Sequence, residues 1–234
     1  SREIAPLLAT RRVKRTARHM VDTYLQLLSP WTDTGSGQGV FNMPHYPAAA
    51  ERARHILHDY HNSSSDQPWV AINAGAGWPS KQWPAERFGR IAQEVFLRYG
   101  MRSLVFWAGE KEHGLAEEVV EHSAATAQVA PPTNLCELLE FIRRAALLLS
   151  SDTAALQIAS AVGTPCVGLF GPTWADEVGP YGNRHVSIQS SVLPDARKSM
   201  RRSSNSSMNA IEISEVLRAC GQLLTARPAL VAAA

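Results

Sequence analysis

The sequence predicts an α/β fold in which helices cover both faces of a doubly wound parallel sheet. From residue 68 onward, short apolar runs alternate with segments whose apolar residues follow helical spacing. Loops that contain Gly, Ser and Asp connect these runs to the helices. Short apolar strands are typical of a sheet buried on both faces, and parallel strands require helical crossovers between them.

The composition is that of a folded globular protein. The chain has 234 residues, of which 45% are hydrophobic and 19% charged, and its formal net charge is +2. This length allows one large domain or one domain with an appendage. The apolar runs are far shorter than the ~20 residues that span a bilayer. The first residues include no initiator Met and no apolar signal core, so we expect no signal peptide and regard the chain as compatible with a fragment.

Basic residues form two clusters. Residues 1–20 hold six basic groups and one acid, which gives a net charge of +5. Residues 195–202 hold four basic groups and one acid, which gives a net charge of +3. Each cluster fits either a solvated segment or attraction to phosphate or an anionic membrane surface. Neither has the interleaved aromatic residues of a nucleic-acid site, so no nucleic-acid partner is expected.

The cysteines and histidines predict neither a disulfide framework nor a metal site. Cys136, Cys166 and Cys220 are widely spaced, which fits buried thiols in the reducing cytoplasm. The eight His residues form no cluster with ligand spacing.

The N-terminal part is expected to be helical and separate from the main domain. Apolar spacing predicts a helix over 12–28 and a second over 47–60, with Pro47 near its start. A loop is expected at 31–45 and a polar linker at 61–67. The predicted division of the chain is a helical connector with its basic segment (1–66), a main α/β domain (67–226) and a tail (227–234).

Within the main domain, strands and helices alternate. Gly100 is expected to close the first helix, and Asn134 to cap the third. The predicted strands are Trp69–Ile72, Leu104–Trp107, Gln128–Val129, Ala146–Leu149, Cys166–Phe170 and Val186–Ile188. The predicted helices are 85–98, one that follows the loop 108–110 and runs to about 123, 135–144, 154–162 and 211–224.

Ligands of such sheets bind at the carboxyl ends of strands, so the loops there are the candidate site. The loop Asn73–Pro84 combines small residues with Lys81, a point charge suited to phosphate. Ser80 stands where a dinucleotide fingerprint has its third Gly, and the loop is not a Walker A motif. From spacing alone, a Gly-containing turn with a solvated Lys81 is an equal alternative.

Three further loops carry candidate groups. Glu110 could accept hydrogen bonds from ribose hydroxyls, or serve only as an acid in a helix's first turn. Asp152 and Thr153 precede a helix whose N-terminus could bind a diphosphate, although an Asp at this position is more commonly an N-cap. Phe170–Thr173 and Gly179–Gly182 are expected to be turns that shape a pocket wall.

Together these loops resemble the ADP-heptose:lipopolysaccharide heptosyltransferases, glycosyltransferase family 9. Asn73–Pro84 resembles the family's N-P-G-A-x-W-P-S-K-R-W-P, and Trp107–Glu110 its G-G-P-G-E loop. Ser151–Pro165 resembles N-D-T-G-x-x-H-L-A-A-A-L-G-T-P, and Val167–Thr173 resembles V-A-L-F-G-P-T. Met208–Leu224 is similar to the closing helix, so the resemblance runs from about 69 to 224.

The resemblance implies one half of a two-domain GT-B glycosyltransferase, whose Rossmann-like halves enclose the active site. This chain is similar to the C-terminal half, which binds ADP-L-glycero-D-manno-heptose, together with the connector. The N-terminal half would bind the lipopolysaccharide-core acceptor and carry the carboxylate base. The implied partners are this donor, this acceptor, the N-terminal half as a separate chain and the cytoplasmic face of the inner membrane. No cofactor is implied.

The resemblance also implies donor-binding residues. Lys81 would meet the donor phosphates or the heptose and stabilise the leaving group, Glu110 would meet the ribose, and Thr133 the adenine pocket. Backbone N–H groups of Thr153 and Ala154 would meet the diphosphate. The full implied set is Ala74, Gly75, Ser80, Lys81, Glu110, Thr133, Asp152, Thr153, Ala154 and Gln157.

The chain departs from the family pattern at positions that bear on function. Ala154 replaces a Gly and Gln157 replaces a His, so a positive charge is lost at the latter. Ala74 replaces a Pro, and Ser207 stands where a Cys is expected. These departures keep open a non-catalytic nucleotide-sugar-binding module. A nicotinamide-dependent oxidoreductase ranks lower, because the glycine fingerprint and its acid are not correctly placed.

Overall fold

A computed structural model of the chain describes residues 10, 12–31, 39–61, 67–192 and 204–226. The basic cluster at 195–202, the predicted tail and most of the 1–11 segment lie outside these residues. The helices are α1 (Met20–Gln26), α2 (Pro47–Tyr60), α3 (Ala85–Tyr99), α4 (Glu110–Glu121), α5 (Leu135–Arg144), α6 (Ala154–Val162), α7 (Ala175–Val178), α8 (Ser206–Asn209) and α9 (Ile213–Thr225). The strands are β1 (Val70–Asn73), β2 (Ser103–Phe106), β3 (Ala127–Val129), β4 (Leu147–Ser151), β5 (Cys166–Phe170) and β6 (Val186–Gln189).

The strands form one parallel sheet, which confirms the predicted fold class. Their order is β3-β2-β1-β4-β5-β6, and every neighbouring pair is parallel. The order reverses between β1 and β4, where Asn73 lies opposite Ser150. The carboxyl ends of these two strands therefore flank the crevice where open parallel sheets bind ligands.

Apolar side chains are buried on both faces of the sheet. One face carries Ile72, Val105 and Leu149, which share a core with residues of α3, α4 and α9. The other carries Ala71, Phe106 and Leu148, whose core includes residues of α2, α5 and α6. Burial on both faces explains why the strands are short apolar runs without alternation.

Helix ends follow local signals that the sequence shows. Gly100 adopts φ +67° after α3, a conformation that costs glycine little. Asn134 and Glu137 form a reciprocal capping box at the start of α5: the Asn134 side chain accepts from Glu137 N, and the Glu137 carboxylate accepts from Asn134 N. Both expected helix boundaries are confirmed.

Helix α2 belongs to the buried core although the sequence places it in the connector. Ala53 and Leu57 are fully buried on the face that α5 and α6 also cover. The Tyr60 hydroxyl donates a 2.8 Å hydrogen bond to Ser103 O at the start of β2. The division at residue 66 stays a prediction, but α2 packs as part of the α/β unit.

The first predicted helix, over 12–28, is wrong in extent because α1 begins only at Met20. His19 is extended, with ψ at 139°, and its Nδ1 accepts a hydrogen bond from Val21 N. The Gln26 side-chain oxygen accepts from the backbone N of Thr16 and of Ala17. Side chains thus satisfy the backbone here, and this competes with helix formation.

Three short elements carry no strong periodic signal and were not expected: a 3-10 turn at Pro79–Lys81, α7 and α8. Within the described part of the chain, every helix is too short or too polar to cross a bilayer.

Candidate functional site

An ion pair lies at the point where the strand order reverses. The 3-10 turn after β1 ends at Lys81, whose Nζ lies 2.6 Å from Oδ2 of Asp152, directly after β4. Their side chains are only 15% and 11% exposed. The Lys81 ammonium also lies 4.3 Å from the centre of the Trp78 ring. A cation held this far from water attracts an anion more strongly than a solvated lysine does, which argues against the alternative of a solvated Lys81.

A third loop contributes to the same carboxylate oxygen. Thr173, in the loop after β5, donates from Oγ1 to Asp152 Oδ2 at 2.8 Å. Loops from β1, β4 and β5 therefore meet at one atom. Such a junction fixes the relative position of the three loops.

Beneath this pair, hydroxyl and amide groups tie β1 to the start of α6. The Asn73 amide donates to Gly75 O at 3.2 Å and to Thr153 Oγ1 at 3.3 Å. Thr153 Oγ1 and Ser150 Oγ hydrogen-bond at 2.9 Å. This network holds the backbone of the first loop against the N-terminus of α6.

The N-terminus of α6 has no side-chain cap, so the alternative that Asp152 serves as the N-cap is wrong. Thr153 is the N-cap residue by backbone position, yet its side chain makes no capping hydrogen bond. Asp152 instead accepts from Lys81 and Thr173. The first N–H groups of a helix have no intrahelical partner, and such a terminus binds anions. Ala154, at this terminus, is exposed.

The carboxylate that faces the first loop belongs to Glu112, which the sequence analysis missed. Glu110 is the exposed first residue of α4. Glu112 Oε2 accepts a 2.9 Å hydrogen bond from Ala108 N. Its carboxyl group fills the space above Gly75, where an added β-carbon would overlap it. The signal in the sequence is weak, because two acids stand in the same helical turn.

The remaining expected residues differ in their placement. Ala74 and Ser80 are 3% and 0% exposed, so they shape the loop from inside. Gln157 is exposed and donates from Nε2 to Val178 O at 2.8 Å. Thr133 is half-buried and lies between β3 and the Asn134 cap of α5.

Acidic, histidine and cysteine side chains do not suggest a metal centre. Across the described ranges, no three of them come together in a way that could hold an ion. The site itself offers a partly buried cation, a carboxylate and uncapped N–H groups, which together suit a phosphate-bearing ligand.

Solved structures share the fold. A glycosyltransferase family 9 protein from Veillonella parvula superposes with a TM-score of 0.76 at 24% identity, covering 93% of this chain and 63% of that one. An Escherichia coli heptosyltransferase solved with ADP gives a TM-score of 0.68 at 19% identity, covering 95% of this chain and 63% of that one. At these identities, the similarity is one of fold.

Curated relatives are similar in sequence over part of their length. Lipooligosaccharide heptosyltransferase 2 of Haemophilus influenzae is 26% identical over 132 residues, which cover 53% of this chain and 37% of that protein. Lipopolysaccharide heptosyltransferase 2 of Escherichia coli is 24% identical over 127 residues, which cover 52% of this chain and 36% of that protein. The matched part of the chain thus spans little more than a third of these relatives' length.

The model of glycosyltransferase family 9 (heptosyltransferase) matches residues 1–208, which is most of the chain and includes the connector. This match agrees with the motif order along the loops and with the parallel sheet that carries them. The chain therefore belongs to glycosyltransferase family 9, the heptosyltransferase family.

Proposed function

We propose that this chain is the donor-binding half of a heptosyltransferase, which transfers heptose from ADP-L-glycero-D-manno-heptose to the lipopolysaccharide inner core. The observation that carries the proposal is the Lys81–Asp152 pair, 2.6 Å apart beside the uncapped start of α6. The relatives are lipopolysaccharide or lipooligosaccharide heptosyltransferases, and one structural neighbour was solved with ADP.

The donor-binding set is proposed residue by residue. Lys81 and the N–H groups of Thr153 and Ala154 bind the diphosphate, because a cation and a helix N-terminus both attract phosphate. Asp152 orients Lys81 and the heptose hydroxyls. The remaining proposed contacts are Ala74, Gly75 and Ser80 in the first loop, Glu110 at the ribose, Thr133 at the adenine and Gln157 near the sugar. Because Glu112 faces the first loop, we propose it as a second acid near the ribose.

The proposed reaction is an inverting displacement. An acceptor hydroxyl attacks the anomeric carbon while the bond from that carbon to the ADP oxygen breaks. A carboxylate of the other half takes the hydroxyl proton. Lys81 and the α6 N–H groups stabilise the negative charge that develops on the departing ADP.

The proposal extends to place and partners. The enzyme works in the cytoplasm, in peripheral contact with the inner membrane, where the basic N-terminal segment favours anionic headgroups. The N-terminal half, whether joined or separate, supplies the acceptor site and the base. Neither a non-catalytic module nor a nicotinamide-dependent oxidoreductase draws support from the named relatives.

Calorimetry with ADP, ADP-heptose, UDP-glucose and NAD tests the proposal. We expect saturable binding of ADP and ADP-heptose, and much weaker binding of UDP-glucose and NAD. Preferred binding of NAD would contradict it, as would a chain that binds none of the four. Heptose transfer after the N-terminal half is supplied would separate an enzyme from a binding module, whereas absence of transfer in that mixture would favour the module.

A further inference from the structure

Thr173 occupies a place in the site that the proposed function leaves without a role. Its hydroxyl donates at 2.8 Å to Asp152 Oδ2, the same oxygen that lies 2.6 Å from Lys81 Nζ. Thr173 itself is separated from Lys81 by the carboxylate. It can therefore act on a ligand at Lys81 only through Asp152.

The loop that carries Thr173 is itself fixed from both sides. Gln189, in β6, donates from Nε2 to Phe170 O at 3.1 Å and to Gly171 O at 3.3 Å. The Gln189 side-chain oxygen accepts from Ala175 N at 2.9 Å. One amide group thus holds the backbone before and after Thr173. The hydroxyl is presented to Asp152 by a constrained loop.

Two physical effects of the hydroxyl act in the same direction. A second donor limits the rotation of the Asp152 carboxylate, so Lys81 is held in one position before a phosphate arrives. The donated hydrogen bond also takes up part of the electron density of Oδ2. The carboxylate then competes less strongly with phosphate for the Lys81 ammonium.

We propose that Thr173 is a positioning residue which, through Asp152, holds Lys81 ready to bind the phosphates of the donor. This inference rests on the proposed function, because it assumes that Lys81 meets phosphate. It assigns Thr173 an effect on the diphosphate end of the ligand and none on the nucleoside end.

The test compares ADP with adenosine in Thr173→Val, with affinities measured by chemical-shift titration. We expect the affinity for ADP to fall about tenfold, the effect of losing a hydrogen bond to a charged group. The affinity for adenosine should not change. Thr173→Ser keeps the hydroxyl and should restore ADP binding.

Thr164→Val is the matched control. Thr164 precedes the amino end of β5, whereas the site lies at the carboxyl ends of the strands, and it donates from Oγ1 to Ile142 O at 2.7 Å. The Thr164→Val substitution removes a similar hydrogen bond outside the site, so its ADP affinity should equal that of the wild type. If Thr173→Val does not fold, Thr173→Ala carries the same expectation.

Equal loss of ADP and adenosine affinity in Thr173→Val would overturn the inference, because it would indicate a general loosening of the loops. Unchanged ADP affinity would overturn it as well. If the wild-type chain binds neither ADP nor inorganic pyrophosphate, the proposed function fails and the inference falls with it. Failure of the proposed function can be told apart from failure of the inference alone, because it is seen in the wild-type chain without any variant.

Discussion

Gly75 shows how closely one residue can be matched to its neighbour in this site. A β-carbon here would overlap the Glu112 carboxyl group, whereas at Gly77 it would meet no atom within 4 Å. Gly75→Ala should displace the flexible end of Glu112 and lower ADP affinity several-fold, with little loss of folding free energy. Calorimetry measures the first effect, and urea unfolding the second.

Gly77→Ala is the control for that prediction, since it adds the same methyl group to the same loop at an exposed position. It should bind ADP as the wild type does. If the two variants bind ADP equally well, Glu112 has no part in the donor site.

At the scale of single residues, the structure brings together two of the predicted site residues, Lys81 and Asp152, at 2.6 Å. Lys81 and Asp152 stand in loops that follow buried strands, and both were predicted as site residues. Thr173 was predicted only as part of a turn, and Glu112 was missed. Their roles depend on contacts between loops distant in sequence, which neither periodicity nor local motif encodes.

At the scale of one element, the capping box of α5 makes a pH-dependent contribution to stability. The hydrogen bond from Asn134 N, aided by Arg52 and opposed by burial, holds the pKa of Glu137 below its ordinary value of 4.5. A carboxyl with a lowered folded pKa stabilises the fold above its unfolded pKa, and this contribution is lost as the pH falls through the folded value.

Glu137→Gln should therefore be less stable than the wild type at pH 6, and the difference should shrink steadily below about pH 4.5. Urea unfolding of both proteins between pH 3 and pH 6 measures this difference. A difference that stays constant over that range would show that the charge of Glu137 does not stabilise the box.

Elements with a local start or stop signal were predicted well. The Asn134 cap and the Gly100 end both lie in the printed sequence as single residues with a known conformational role. Helix α1 was overestimated because apolar spacing continues through Val13 and Ala17. Side-chain contacts from Gln26 decide the backbone there, and spacing alone does not reveal them.

On the scale of the whole molecule, α1 and the residues just before it are attached to the α/β unit by polar contacts. His19 Nε2 donates to Gly179 O at 3.0 Å, and the Tyr181 hydroxyl donates to Asp22 Oδ1 at 2.5 Å. Arg18 pairs with Asp176 at 2.7 Å. These three contacts join α1 and the residues before it to the segment around α7.

Tyr181→Phe should loosen this attachment, because it removes the hydroxyl that binds Asp22. Trypsin should then cleave faster after Arg15 or Arg18, by about fivefold for a loss of about 1 kcal/mol. Tyr24→Phe is the control, since Tyr24 is 61% exposed on α1, the helix that carries Asp22. Equal cleavage rates for the two variants would contradict the attachment by Tyr181.

The parallel sheet was predictable because each strand and crossover has its own pattern. The packing of α2 could not be predicted. The polar stretch at 61–67 indicates a linker, but it does not indicate where the preceding helix lies. Ala53 and Leu57 are buried against one face of the sheet. Only this tertiary packing identifies α2 as part of the core on that face.

The proposed function depends on the binding of a diphosphate at Lys81, which calorimetry can measure. The ADP affinity of the wild-type chain is compared with that of Lys81→Ala and of Lys111→Ala, whose lysine is exposed on α4. We expect an affinity loss of at least about tenfold for Lys81→Ala, since a partly buried cation contacts phosphate, and none for Lys111→Ala. Equal ADP affinity in Lys81→Ala and the wild type would contradict the binding of a diphosphate at Lys81.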